Sequence, residues 1–362
     1  MTEKLLGRWV FLDDGLKEGY LRIDEDRVEE ICVGHAPAES AKALILPGLV
    51  NAHVHIGDSF AYPAPQGTVQ EIVGPPNGYK HRMLRTTPEE TKITAMASAS
   101  RDMFASGTLV FGDFREEGVA GVRSLRNALK ASPLTMKVFG RPAESSPMDA
   151  EIDGLLAETD GIGASSLSDC PYDILRRLSQ RAKSARKLFA MHASESIRED
   201  IDMILDLKPD FLVHMCKASD DEVEACVEAG VPLVVCPRSN EFFGLDPGIP
   251  RLLKKGAIVA LGTDNGMIVP PNMFEEMRAS FRLSAMSGIS TSDIVRLATF
   301  NGRKVLNAEP KITTEINPQS DLLAVMVESE DPLHELVTSS GPEDIMGMAK
   351  GGEFRRTSDW MR

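Results

Sequence analysis

The sequence predicts an α/β protein, a (β/α)8 TIM-like barrel accompanied by a small β module that both chain ends build. Three observations carry this. Between Pro47 and Leu306, eight short apolar runs alternate with stretches of helical periodicity, and roughly 250 residues of such βα repeats are what a closed parallel barrel needs. Strand-like runs without helices between them lie before and after this series. No G-x-G-x-x-G and no G-x-x-x-x-G-K-[ST] follows any of the runs, which counts against an open, doubly wound nucleotide-binding sheet.

The elements follow in order. Residues 1 to about 48 read as short strands, among them the alternating Tyr20-Leu-Arg-Ile-Asp and, after a charged turn, Val28-Glu-Glu-Ile-Cys-Val. Leu44 to His55 is the first barrel strand. Asp58 to Arg85 is rich in Pro and Gly and reads as a long irregular connection, placed to cover whatever His53 and His55 do. Thr87 caps a helix with Pro88 in its first position. Strands are then expected at Thr108–Asp113, Leu134–Gly140, Gly161–Ala164, Lys187–His192, Asp210–His214, Val231–Cys236 and Ala257–Asp264, with helices between them and two more from Asn272 to Leu306. Beyond the barrel, Asp321-Leu-Leu-Ala-Val-Met-Val and Glu335-Leu-Val-Thr-Ser read as strands, and Lys350-Gly-Gly-Glu-Phe-Arg as a closing hairpin.

Bulk properties bound the function. The 362 residues carry a net charge of −14, so nucleic acid and anionic membrane surfaces are not expected partners. No apolar run approaches the ~18 residues of a membrane span, and Met1-Thr-Glu-Lys-Leu-Leu-Gly-Arg lacks the apolar core of a signal peptide. The five cysteines form no C-x-x-C pair, which fits reduced thiols in a cytoplasmic protein and argues against a structural zinc finger or a Cys-Cys zinc deaminase motif. The expected partner is a small-molecule substrate, and the oligomeric state is left open, a homo-oligomer included.

The chemistry concentrates at strand ends. In a strand, residues two apart share a face, so His53 and His55 aim at one point. His192, His214 and Asp264 end three further strands, and the C-terminal strand ends are where such barrels carry function. Imidazoles with a carboxylate suit one divalent transition metal, Zn2+ first and Fe2+ second, with a position left for water, whose pKa the metal lowers towards ~7. Glu195, three residues after His192, is placed to shuttle a proton. Arg115, Arg141 and Arg238 follow strands two, three and seven and are candidate substrate contacts, since guanidinium suits carboxylate and phosphate. Arg238 ranks first among them because it lies within Cys236-Pro-Arg-Ser-Asn. His81 joins the candidates through its place in the covering segment.

Assembled, these stretches resemble the amidohydrolase superfamily, and within it the branch of cytosine deaminase, guanine deaminase and the S-adenosylhomocysteine deaminase/chlorohydrolase group. The resemblance rests on Pro47-Gly-Leu-Val-Asn-Ala-His-Val-His, His192-Ala-Ser-Glu, Leu212-Val-His-Met-Cys, Cys236-Pro-Arg-Ser-Asn, Leu261-Gly-Thr-Asp-Asn, Met273-Phe-Glu-Glu-Met and Ala298-Thr-Phe-Asn-Gly. It implies a discontinuous β-sandwich of residues 1–46 and 312–362 around a hydrolase barrel of 47–311. It implies that His53, His55, His192 and Asp264 bind the metal. Glu195 is then the proton shuttle, His214 orients and polarises water, and Asp264 also takes a proton from it. The fourth strand has no lysine to bridge a second metal, so one ion is expected. Val235 stands where the family often has His, and Asp264-Asn-Gly-Met replaces a frequent Gly-x-x-Ser pattern after the aspartate. The activity implied is deamination of an aminated heterocycle, purine-, pyrimidine- or nucleoside-like. The alternative is hydrolysis of a ring C–N amide, as in imidazolonepropionases. A metal-free binding or scaffold relative would have lost ligands, and none is lost here.

Overall fold

The structure is a computed structural model that describes residues 4–143, 147–307, 319–356 and 359. Eight parallel strands form the barrel: β1 Leu49–His55, β2 Thr108–Arg115, β3 Thr135–Gly140, β4 Gly161–Ala164, β5 Leu188–Ala193, β6 Phe211–His214, β7 Leu233–Val235 and β8 Val259–Leu261. Each pairs with its sequence neighbour, and the two-residue strand Asp264–Asn265 returns to pair with Val54 and His55, closing the sheet. The last predicted strand is therefore split, with Gly262 and Thr263 at the break. There the Asn51 side chain takes Thr263, donating to its Oγ1 at 2.7 Å and accepting from its N–H at 3.0 Å. A Cβ on Gly262 would lie 2.7 Å from the carbonyl oxygen of His53, so the two strands approach this closely only over a glycine.

Val50, Ala52, Phe114, Phe139, Phe211, Val213, Val234 and Ala260 fill the barrel, with Val305 and Leu306 packed among them. The register between β1 and β2 slips between Asn51 and Val54. Val54 consequently packs with the outer core alongside Leu49, while the His53 ring meets the interior Phe114 with centroids 4.3 Å apart. Such a slip re-aims side chains, and here it turns both histidines into the barrel mouth.

The two chain ends build one eight-stranded sheet. Ala43–Pro47 from the first part pairs with Leu322–Met326 from the second, and Glu353–Arg355 pairs with Arg27–Val33. The boundary expected at 311/312 lies outside the described residues. Two expectations are corrected. Glu335-Leu-Val-Thr-Ser is part of a helix, Pro332–Thr338, because Asp331 caps it by accepting from His334 N–H and Leu333, Leu336 and Val337 recur at helical spacing on its buried side. The connection after β1 is also more regular than expected, with short helices at Ile56–Ala61, Val69–Ile72 and Tyr79–Thr86.

Candidate metal centre

Four side chains converge at the barrel mouth. One ligand atom from each of His53, His55, His192 and Asp264 lies within 4.8 Å of the others. Asp264 Oδ1 is 3.3 Å from His53 Nε2 and 3.6 Å from His55 Nε2. Glu195, His214 and Asp264 form a second group on the same spacing, so Asp264 joins the two. The five strand-end candidates, together with Glu195, are therefore brought to one place.

The donor set fits a divalent cation with nitrogen and oxygen preference. Burial pushes His53 down to about 4 and His55 to about 3, and it holds His192 well below the usual histidine range, so all three present neutral imidazoles, the ligating form. Burial opposes ionisation of Asp264, but its contact with His53 and the nearby His214 keep its carboxyl well below the usual range. His192 Nδ1 lies 2.9 Å from the carbonyl oxygen of Ala164. Its N–H points there, which leaves Nε2 as the donor, the arrangement in which a backbone carbonyl orients a metal-binding histidine.

The neighbours are held in turn. Ser239 donates to Asp264 Oδ2 at 2.6 Å, and Asn240 Nδ2 lies 3.2 Å from His214 Nδ1. His214 and Asp264 both sit at positive φ, +81° and +62°, a region costly for side chains of this size and common at functional strand ends. Glu195 Oε2 is 3.8 Å from His214 Nε2, and its Oε1 is buried with no hydrogen-bond partner among the described residues. Burial raises this carboxyl to about 7, against the pull of His214.

Beneath His55 lies a charged layer that sequence reasoning missed. Glu116 Oε1 is 2.8 Å from His55 Nδ1 and 2.5 Å from Lys80 Nζ, and Arg115 donates to its Oε2 at 2.7 Å. Burial alone would raise Glu116, but Lys80 and His55 hold its carboxyl well below the ordinary value. Glu116 follows the end of β2 directly, so the strand-end rule that found His214 could have found it. Lys80 comes from the covering helix and had no such signal.

The remaining candidates separate. Arg141 follows β3 and lines the metal-centre cavity of about 60 Å³, together with Lys80, His55 and Glu195. It touches the carbonyl oxygen of Gly163 at 3.3 Å and forms no ion pair among the described residues. The other three stand elsewhere. Arg115 is buried under the site, with its guanidinium against Glu116 and Asp113. Arg238, ranked first by motif, is held by Glu276 at 3.3 Å and by the carbonyl oxygen of Pro270 at 3.0 Å, outside the cavity. His81 lines an adjoining, largely apolar cavity of about 370 Å³ that shares Arg141 with the first.

The chain is similar to known proteins over most of its length. An uncharacterized protein of Methanocaldococcus jannaschii is 34% identical over 321 residues, 82% of this chain and 83% of its own. A 5-methylthioadenosine/S-adenosylhomocysteine deaminase of Haloquadratum walsbyi is 26% identical over 365 residues, 88% of this chain and 78% of its own. A zinc-bound adenosine deaminase from Xanthomonas campestris shares the fold, with a TM-score of 0.79 at 17% identity over 97% of this chain and 92% of that one. The sequence model of the amidohydrolase family matches residues 44–355, and the chain belongs to that family.

Proposed function

We propose that the protein is a metal-dependent hydrolase that deaminates an aminated heterocycle, purine-, pyrimidine- or nucleoside-like, replacing C–NH2 by C=O with release of ammonia. The observation that carries the reading is the buried, unpartnered oxygen of Glu195, which shares one small cavity with the His53–His55–His192–Asp264 cluster. The relative from Haloquadratum walsbyi, a deaminase by name, supports it over most of the chain.

His53, His55, His192 and Asp264 would hold the ion, zinc in first place and iron(II) in second. A divalent ion supplies the Lewis acidity that makes hydroxide available from water at neutral pH. The chain's own residues manage position and protons. Glu195 takes the first proton that water gives up and passes it to the ring nitrogen. The second, lost from the attacking oxygen as C=O forms, goes to the departing amine, which leaves as ammonia, and a carboxyl near neutrality suits both taking and giving. His214, with Asn240 at its Nδ1, turns Nε2 towards Glu195 and orients the water between them. Asp264 is held ionised and serves as a second acceptor. Arg141 gives the wall of the cavity a cation with no ion pair among the described residues, which favours a substrate rich in acceptors or carrying an anionic group. The same reading takes residues 1–46 with 312–362 as a β-sandwich beside a barrel of 47–311. With five free cysteines, it places the protein's work in the cytoplasm.

The test is an ammonia-release assay on the zinc-loaded protein. The panel holds adenine and guanine nucleosides, their 5′-thio derivatives and cytosine, and a cyclic amide followed for ring opening. Ammonia release that His192→Ala abolishes is expected. Ring opening of the amide with no ammonia from any aminated ring would overturn the deaminase reading in favour of a cyclic amidohydrolase.

A further inference from the structure

Lys80 is buried, with 2% of its surface exposed, yet it belongs to the segment that covers the barrel mouth. Val69, Gln70, Val73, Gly74 and Pro75 of the same segment line the metal-centre cavity. The lysine reaches through this cover into the charged layer beneath. Its ammonium is 2.5 Å from Glu116 Oε1, 2.8 Å from Asn265 Oδ1 and 3.7 Å from Asp58 Oδ2. Glu116 Oε1 is also the atom 2.8 Å from His55 Nδ1. Asn265 follows Asp264 and pairs in register with His55. One side chain from the cover therefore meets the immediate neighbours of two metal-ligand candidates on two different strands.

The charge balance explains why it stays. Asp58, Asp113 and Glu116 are all buried, and Arg115 and Lys80 are the cations that face them. With Lys80 withdrawn, three buried carboxylates share one guanidinium, a strongly unfavourable arrangement in a low-dielectric interior. With Lys80 in place, Glu116 has a cation on each oxygen and stands 2.8 Å from His55 Nδ1. A ligand histidine whose second nitrogen meets an anchored carboxylate is held in one ring orientation, and loss of such support typically weakens metal binding 10–100-fold.

We propose that Lys80 is a positioning residue that latches the covering segment, residues 68–86, onto the metal centre and acts through Glu116 on the ring of His55. The proposal rests on reading the four-residue cluster as a metal site. Its test uses the full-length protein stripped of metal, with zinc affinity measured by chelator competition and amide hydrogen exchange followed over 69–86. Lys80→Met is expected to weaken zinc about tenfold and to speed exchange across the segment. Glu116→Gln is expected to weaken zinc comparably. The double variant, which removes both charges and so leaves neither buried alone, is expected to bind zinc no more weakly than Glu116→Gln by itself. Unchanged zinc affinity in Lys80→Met overturns the proposal, and so do losses that add in the double variant, since Lys80 would then act independently of Glu116. If Lys80→Met fails to fold, Lys80→Gln takes its place in the cycle with the same expected and overturning results. A wild type that takes up no zinc overturns the metal-centre reading instead, and unchanged exchange in Lys80→Met then rejects the latch as well.

Discussion

Ser239 donates its hydroxyl to Asp264 Oδ2, which leaves Oδ1 as the oxygen facing His53 and His55. Asp264 draws on this support with its backbone at a φ of +62° and its strand only two residues long, paired with Val54 and His55. Ser239→Ala removes a hydrogen bond to a charged group, worth about 1.5–3 kcal/mol where it is made. The expected result is zinc affinity and turnover each lower by about tenfold, with a melting temperature changed by only a few degrees. Isothermal titration of the stripped protein would show it, and wild-type affinity would mean that strand pairing alone aims the carboxylate.

The contact between Asn240 and His214 sets a proton's position. An amide N–H donated to Nδ1 leaves Nε2 carrying the ring hydrogen on the side of Glu195. Asn240→Asp keeps the shape but offers an acceptor, which draws the hydrogen to Nδ1 and presents a lone pair to Glu195. We expect kcat to fall by about a hundredfold, the lower end of what a positioned acid–base group contributes, while KM changes little. A variant with an unaltered kcat would remove the tautomer of His214 from the mechanism.

How far the site was legible follows from the range of the interactions that make it. His53, His55, His192, His214 and Asp264 were found because strand alternation and strand ends are local patterns. The Asn51 clamp on Thr263 spans 212 residues, and no periodicity announces it. Arg238 was ranked above Arg141 because it lies in a motif, yet Glu276, on the helix Met273–Leu283, takes up its charge. Motif membership and substrate contact are different properties, and only packing separates them. The helix at Pro332–Thr338 had a readable start in Asp331-Pro332, outweighed by the β-leaning Leu-Val-Thr run. Lys80 and Glu116 carry no local signature of their joint role.

Gly57 marks a second constraint that a sequence pattern does not express. A Cβ there would lie 1.7 Å from Arg115 Nη1 and 2.0 Å from Cζ. The guanidinium cannot retreat without leaving Glu116 and Asp113 buried and underpaired. Gly57→Ala is therefore expected to destabilise the fold by about 2–4 kcal/mol, more than ordinary overpacking of a core. Urea denaturation measures this, and Gly351→Ala serves as the comparison, since its Cβ would meet nothing within 4 Å although its φ is +57°. A loss at position 57 no larger than at 351 would show that Arg115 can move.

Glu195 links the mechanism to stability through pH. Burial raises its carboxyl from 4.5 to about 7, so the folded, metal-free protein holds the proton more tightly than the unfolded chain does. The stability this contributes is complete below about pH 4.5. It is lost as the pH climbs through 7, because the unfolded chain ionises freely while the folded one must ionise in a buried site. A shift of this size corresponds to on the order of 3 kcal/mol. Glu195→Gln carries no such charge. Near pH 4.5 the stripped variant and the stripped wild type are expected to melt together, and above pH 8 the variant is expected to melt several degrees higher while lacking turnover. Melting curves of both proteins from pH 4.5 to 8.5 decide it. Parallel curves across that range would mean that Glu195 ionises in the folded state as easily as in water, and a shuttle tuned near neutrality by burial would have to be given up.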